Sequence, residues 1–83
     1  MRREICIKVM FFAATADVVG RRAIEIFIPE RSRSKDLFDK IIADFPKLNE
    51  HRLLFAINQE YAKGDEILKD GDEVAIFTAV SGG

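Results

Sequence analysis

Eighty-three residues, 48 % apolar and 33 % charged, fit one small globular domain spanning residues 1–83. A chain of that size buries only a little over about 60 % of its unfolded surface, which leaves room for one core but hardly for a deep enclosed active site as well. Thirteen basic residues against fourteen acidic ones exclude a concentrated nucleic-acid-binding face, a single cysteine excludes an internal disulfide, and no apolar run is long enough for a membrane-spanning helix.

Residues 4–12 alternate, with Ile5, Ile7, Val9 and Phe11 on one side and Cys6, Lys8, Met10 and Phe12 on the other, which predicts a half-buried strand. Met1-Arg2-Arg3 ahead of an apolar run imitates a secretory signal. Glu4 and Lys8 interrupt that run, and its period is two, so we read it as mature structure. With Cys6 alone, a reducing cytoplasmic location is expected. Residues 13–20 end in Val18-Val19-Gly20, a short helical turn or loop closed by glycine. Residues 23–28 give a second strand with Ile24, Ile26 and Ile28 inward, ended by Pro29.

Ser34 is the expected N-cap of the main helix, without a glutamate or glutamine three residues on to complete a capping box. Leu37, Phe38, Ile41, Ile42 and Phe45 form one apolar stripe, and Pro46 stops the helix. A third strand is expected at 53–58, a short fourth around Glu60-Tyr61-Ala62, a turn at Asp70-Gly71, and a last strand at 73–79. This order predicts an α+β fold: a mixed sheet of four to five strands with one main helix packed on one face. One helix cannot cover both faces. Met10, Phe12, Leu54 and Phe77 are then left as an apolar patch, the usual mark of a partner site, unless loops 13–22 and 59–70 fold over it.

Other residues are given plain readings. His51 is a solvated loop residue, since no second ligand stands near it. Asp70, Asp72 and Glu73 lack the ordered spacing of a cation loop, and no metal site is expected. Ser81 lacks the flanking pattern and histidine partner of a nucleophile. Cys6, on the Phe12 side of its strand, is read as a small apolar filler. The chain closes on Gly82-Gly83 directly after a strand-like run. Glycine is costly inside regular structure but suits a thin, flexible tether, residues 78–83, that carries an accessible carboxylate. The α-carboxyl of Gly83 is therefore the candidate reactive group.

Phe11-Phe12-Ala13, Ile57-Asn58-Gln59, Asp70-Gly71-Asp72-Glu73-Val74-Ala75 and the ending Val80-Ser81-Gly82-Gly83 together resemble the small subunit of molybdopterin synthase, the MoaD type of ubiquitin-like sulfur carrier. The resemblance runs over the whole chain. It implies a ubiquitin-like β-grasp fold and a chain that donates sulfur while its partner performs the acid–base chemistry and binds the pterin. It implies that Gly83 is adenylated by an ATP-using activating enzyme (a MoeB-type adenylyltransferase) and converted to a thiocarboxylate. Gly82 is then the slim neighbour that lets the terminus thread a tunnel. Sulfur passes to cyclic pyranopterin monophosphate on the large, MoaE-type subunit, within a heterotetramer. Phe12 and Phe77 match aromatic partner-binding positions, Tyr61 falls where an aliphatic residue is common, and Val80-Ser81 belong to the docking tail. No cofactor is expected on this chain, and no nucleic acid or membrane partner. The family often has Pro-Pro where this chain has Thr78-Ala79, so the last strand is free to run further or the tail to be looser. The alternatives are a sulfur carrier for thiamine synthesis or tRNA thiolation, a ubiquitin-like protein modifier, and a plain β-grasp interaction module.

Overall fold

The computed structural model describes residues 3–79. Five strands and two helices follow one another as β1 (Glu4–Phe11), α1 (Ala14–Val19), β2 (Ala23–Pro29), α2 (Ser34–Asp44), a 3₁₀ segment (Pro46–Glu50), β3 (Leu53–Ile57), β4 (Glu60–Tyr61) and β5 (Glu73–Thr78). The sheet order is β2-β1-β5-β3-β4. β1 and β5 run parallel side by side in the middle, and the remaining pairs are antiparallel. The expected α+β arrangement, with one main helix on one face of a mixed sheet, is the arrangement found.

Alternation in β1 does what its spacing dictates. Ile5, Ile7, Val9 and Phe11 are buried, together with Ile26, Ile28, Val74 and Ile76 from the flanking strands. α2 lays Leu37, Phe38 and Ile41 onto this layer. Phe38 stacks on Phe55 of β3 with ring centroids 3.8 Å apart, and Phe11 meets Phe45 edge-on at 6.2 Å. Burial of such side chains stabilises by roughly 1.5–3 kcal/mol each relative to exposure.

The helix start differs from expectation. The N-cap is Arg33, not Ser34, and the Asp36 carboxylate accepts the Arg33 N–H at 2.9 Å. Ser34 is fully buried and donates its hydroxyl to the Glu66 carboxylate at 2.6 Å. A tertiary contact claims the side chain that local sequence assigned to capping. Pro46 ends α2 as expected, but the chain then forms a 3₁₀ segment that places Leu48 in the core. Gly20, at φ 80°, closes α1 and donates its N–H to Ala16 O at 2.8 Å.

Both loops that might have covered the second sheet face turn toward the core. α1 packs against β5, and its Ala16, Val18 and Val19 border the core, while Leu68 and Ala62 of the 59–70 loop join the core cluster. Among the described residues no element packs across the far face of the sheet, and Ala16, Asp17 and Arg22 only border it beside Met10 and Phe12.

Candidate docking face

Facing residues across neighbouring strands share one side of a sheet, so the register defines the open face row by row. Phe12 follows β1 and points away from buried Phe11, and Phe77 lies opposite Leu54. The next row is Ala23, Met10, Ala75, Ala56 and Tyr61 across all five strands. Together they make an apolar plate. The Tyr61 and Phe77 rings stand 6.1 Å apart, and Phe12 and Tyr61 are 48 % and 71 % exposed. An open groove beside Phe12, about 580 Å³, is lined in part by Lys8, Met10, Ala16 and Arg22.

Backbone geometry fixes Phe12. Ala13 sits at φ 53°, ψ −127°, a region that favours glycine, and turns the chain into α1. Thr15 is fully buried. Its hydroxyl accepts the Phe12 N–H at 3.0 Å and shares its one proton between Phe12 O at 2.7 Å and Ile76 O at 2.8 Å. Neither residue carried a sequence signal. A positive φ at alanine and a lone buried threonine have no periodic pattern to reveal them.

At the far end of β5 the ladder outruns the strand. Ala79 N–H bonds Arg52 O at 2.9 Å. A proline at that position has no N–H to give. The departure from Pro-Pro therefore lengthens the pairing of the last strand, one of the two outcomes expected. Of the candidate site residues, Phe12, Tyr61 and Phe77 share the open face, while Val80, Ser81, Gly82 and Gly83 lie outside the described residues.

The tip of the β3–β4 hairpin is a two-residue turn with Asn58 at φ 48° and Gln59 at φ 73°. Asn58 locks it to β5. Its amide donates to Asp72 at 3.0 Å and accepts the Glu73 N–H at 3.0 Å. Asp70 accepts the Cys6 N–H at 2.7 Å, and Gly71 takes φ 87° in the turn. These acids serve the turn, and the described residues contain no group of three His, Cys, Asp or Glu able to hold a metal ion. His51 is exposed, as expected.

Cys6 corrects the reading of an apolar filler. It is half-buried on the open face and donates its thiol to Glu25 at 3.4 Å. Reduced solvation, the Glu25 hydrogen bond and the charges of Glu25 and Asp70 all push its thiol pKa up, so the thiolate is disfavoured.

Comparison with known proteins bears on this geometry. The ThiS family profile matches residues 9–83. The molybdopterin synthase sulfur carrier subunit of Chlamydomonas reinhardtii is 41 % identical over 81 residues, covering 93 % of this chain and 98 % of that one. A Pyrococcus furiosus structure, a putative molybdopterin converting factor subunit 1, superposes with a TM-score of 0.84 at 32 % identity, covering 92 % of this chain and 99 % of that one. A chain of the Helicobacter pylori complex of subunits 1 and 2 of molybdopterin-converting factor shares the fold, with a TM-score of 0.65 at 22 % identity over 95 % of this chain and all of that one. With this sheet order, and with 41 % identity to such a carrier over nearly the whole chain, the chain belongs to the ThiS family, among the molybdopterin synthase sulfur carrier subunits.

Proposed function

We propose that this chain is the sulfur carrier of a molybdopterin synthase and that Gly83 is its reactive terminus. The observation that carries the reading is the apolar plate of Phe12, Phe77 and Tyr61, which the chain's own helix leaves uncovered on the face opposite the core. Exposed apolar surface of this kind serves partner binding. The partner of this reading is the large, MoaE-type subunit, as in the Helicobacter pylori complex of subunits 1 and 2. The same chain must also visit an activating adenylyltransferase.

The chemistry asks little of the folded domain. A carboxylate is a poor acyl electrophile. Attack of the Gly83 carboxylate on ATP gives an acyl adenylate and releases pyrophosphate. Sulfide-level sulfur from a donor then attacks the acyl carbon, breaks its bond to AMP and leaves a thiocarboxylate, whose sulfur is nucleophilic toward cyclic pyranopterin monophosphate. ATP belongs to the activating enzyme, and acid–base catalysis to the large subunit. What this chain contributes is a rigid docking plate that aims its C-terminal residues.

The test is the intact mass of the purified chain after incubation with ATP, a sulfur donor and an active adenylyltransferase of this family. The expected result is a gain that matches exchange of one oxygen for sulfur, localised to the Gly83 peptide. An unchanged mass with a demonstrably active enzyme would overturn the reading. A ladder of conjugates to other proteins, lost on removing Gly83, would favour a protein modifier.

A further inference from the structure

The open face is apolar on only one half. Beyond the row of Met10 and Ala75 comes a row of charge, since Lys8 of β1 lies between Glu25 of β2 and Glu73 of β5. All three are exposed. Neighbouring strands are about 4.8 Å apart, so two glutamates and one lysine occupy adjacent positions in one row across three strands. The row beyond holds Cys6 and Phe27, with Phe27 61 % exposed. Asp70 reaches the same strand through the Cys6 N–H, and Glu4 continues the alternation of β1 on this face. This half of the face therefore gathers Glu4, Glu25, Asp70 and Glu73 around Lys8, with Arg21 beside Lys8 and Glu25 at the β2 edge. Reduced solvation is the largest cause of the rise in the Cys6 thiol pKa, and the Glu25 hydrogen bond and the charges of Glu25 and Asp70 add to it.

The whole chain carries a formal net charge of only −1, so total charge cannot steer association, whereas a polarised face can. The acids are spread along a row and do not converge, and the described residues form no metal-binding group, so the complement is a surface and not an ion. Nucleic acid and anionic lipid would be repelled.

We propose that the acidic row Glu25–Lys8–Glu73 steers docking, and that the large subunit meets it with arginine or lysine side chains beside the apolar patch that covers Phe12 and Phe77. The proposal rests on the docking reading above. A flat apolar plate sets no unique register by itself. A charged row along one border supplies one, and it acts mainly on the association rate and on rejection of wrong partners.

The experiment measures association and dissociation rates with purified large subunit at low and high salt. The chains compared are wild type, the Glu25→Gln/Glu73→Gln double variant, Lys8→Gln and Phe77→Asp. Glutamine at position 25 retains an acceptor for the Cys6 thiol. The double variant should associate about tenfold more slowly at low salt, with a flattened salt dependence and dissociation within about twofold of wild type. Lys8→Gln, in the same row, should associate faster than wild type. Opposite signs at neighbouring positions are what a steering field gives and a local packing defect does not. If the double variant matches wild type in rate and salt dependence while Phe77→Asp loses binding, the face docks but its acidic row is idle, and the proposal is overturned. If Phe77→Asp binds like wild type, the docking reading of the face itself falls, and the proposal with it.

Discussion

Glu66 joins two segments 32 residues apart. Its carboxylate accepts the Ser34 hydroxyl at 2.6 Å, the Lys63 N–H at 2.7 Å and the Gly64 N–H at 2.9 Å. Those donors, the Ser34 hydroxyl foremost, lower its pKa from an ordinary 4.5 to about 2. Because the folded chain favours the charged form, the linked stability is fully present above about pH 4.5 and is lost as pH falls toward 2. Glu66→Gln should lower the melting temperature at neutral pH and flatten the acid dependence in that window. A pH series of thermal melts on the two chains checks this, and equal slopes for both would remove Glu66 as the cause. Asn58 is legible in a different way. Asparagine tolerates the left-handed region better than most residues, so an Asn-Gln step between two strands is a turn signal with a mechanism. Its pair of hydrogen bonds, one to Asp72 and one from Glu73, is not legible, because it depends on a strand fifteen residues away.

α1 has six residues, well short of the length at which a helix holds on its own. Gly20 marked its end in the sequence, but its attachment comes from Thr15, whose hydroxyl ties the start of α1 to Phe12 and to Ile76 of β5. Thr15→Val keeps the shape and removes the hydroxyl. The Phe12 N–H keeps a bond to Ile76 O at 3.0 Å, so the expected cost is on the order of 1–2 kcal/mol and not larger. Denaturant midpoints of Thr15→Val and Thr15→Ser, with serine recovering most of the loss, check it. The 3₁₀ segment shows the opposite case. Five residues beginning with proline carry no usable period, so burial of Leu48 was not foreseen.

Taken whole, the molecule has one face sealed by α2 and one left open, and that asymmetry is its functional statement. Phe77 is half-buried beside Tyr61, on the central strand β5. Phe77→Asp places an unpaired charge in the middle of the apolar plate. The chain should remain folded, because the Ile7, Val9, Val74 and Ile76 layer lies on the other face. Affinity for the large subunit should fall by a hundredfold or more, about 3 kcal/mol, since the charge would be buried without a partner. Titration calorimetry checks this, with circular dichroism as the control for folding. Unchanged affinity would mean that the plate is not the interface.

Local sequence was enough for the strands, the main helix, the inward face of β1 and the existence of an uncovered apolar patch. These follow from alternation, from the stripe on α2 and from punctuation by glycine and proline, all of which act over a few residues. It also determined the reading of Gly82-Gly83, which lies outside the described residues. The folded arrangement was needed to show that Ser34 serves Glu66 in place of a helix cap, that Thr15 holds Phe12, and that Ala79 extends the β5 ladder to Arg52. It alone aligned Glu25, Lys8 and Glu73 in one row. Each of these depends on strand register and loop closure, which bring together residues far apart in the chain, and local spacing holds no record of such meetings.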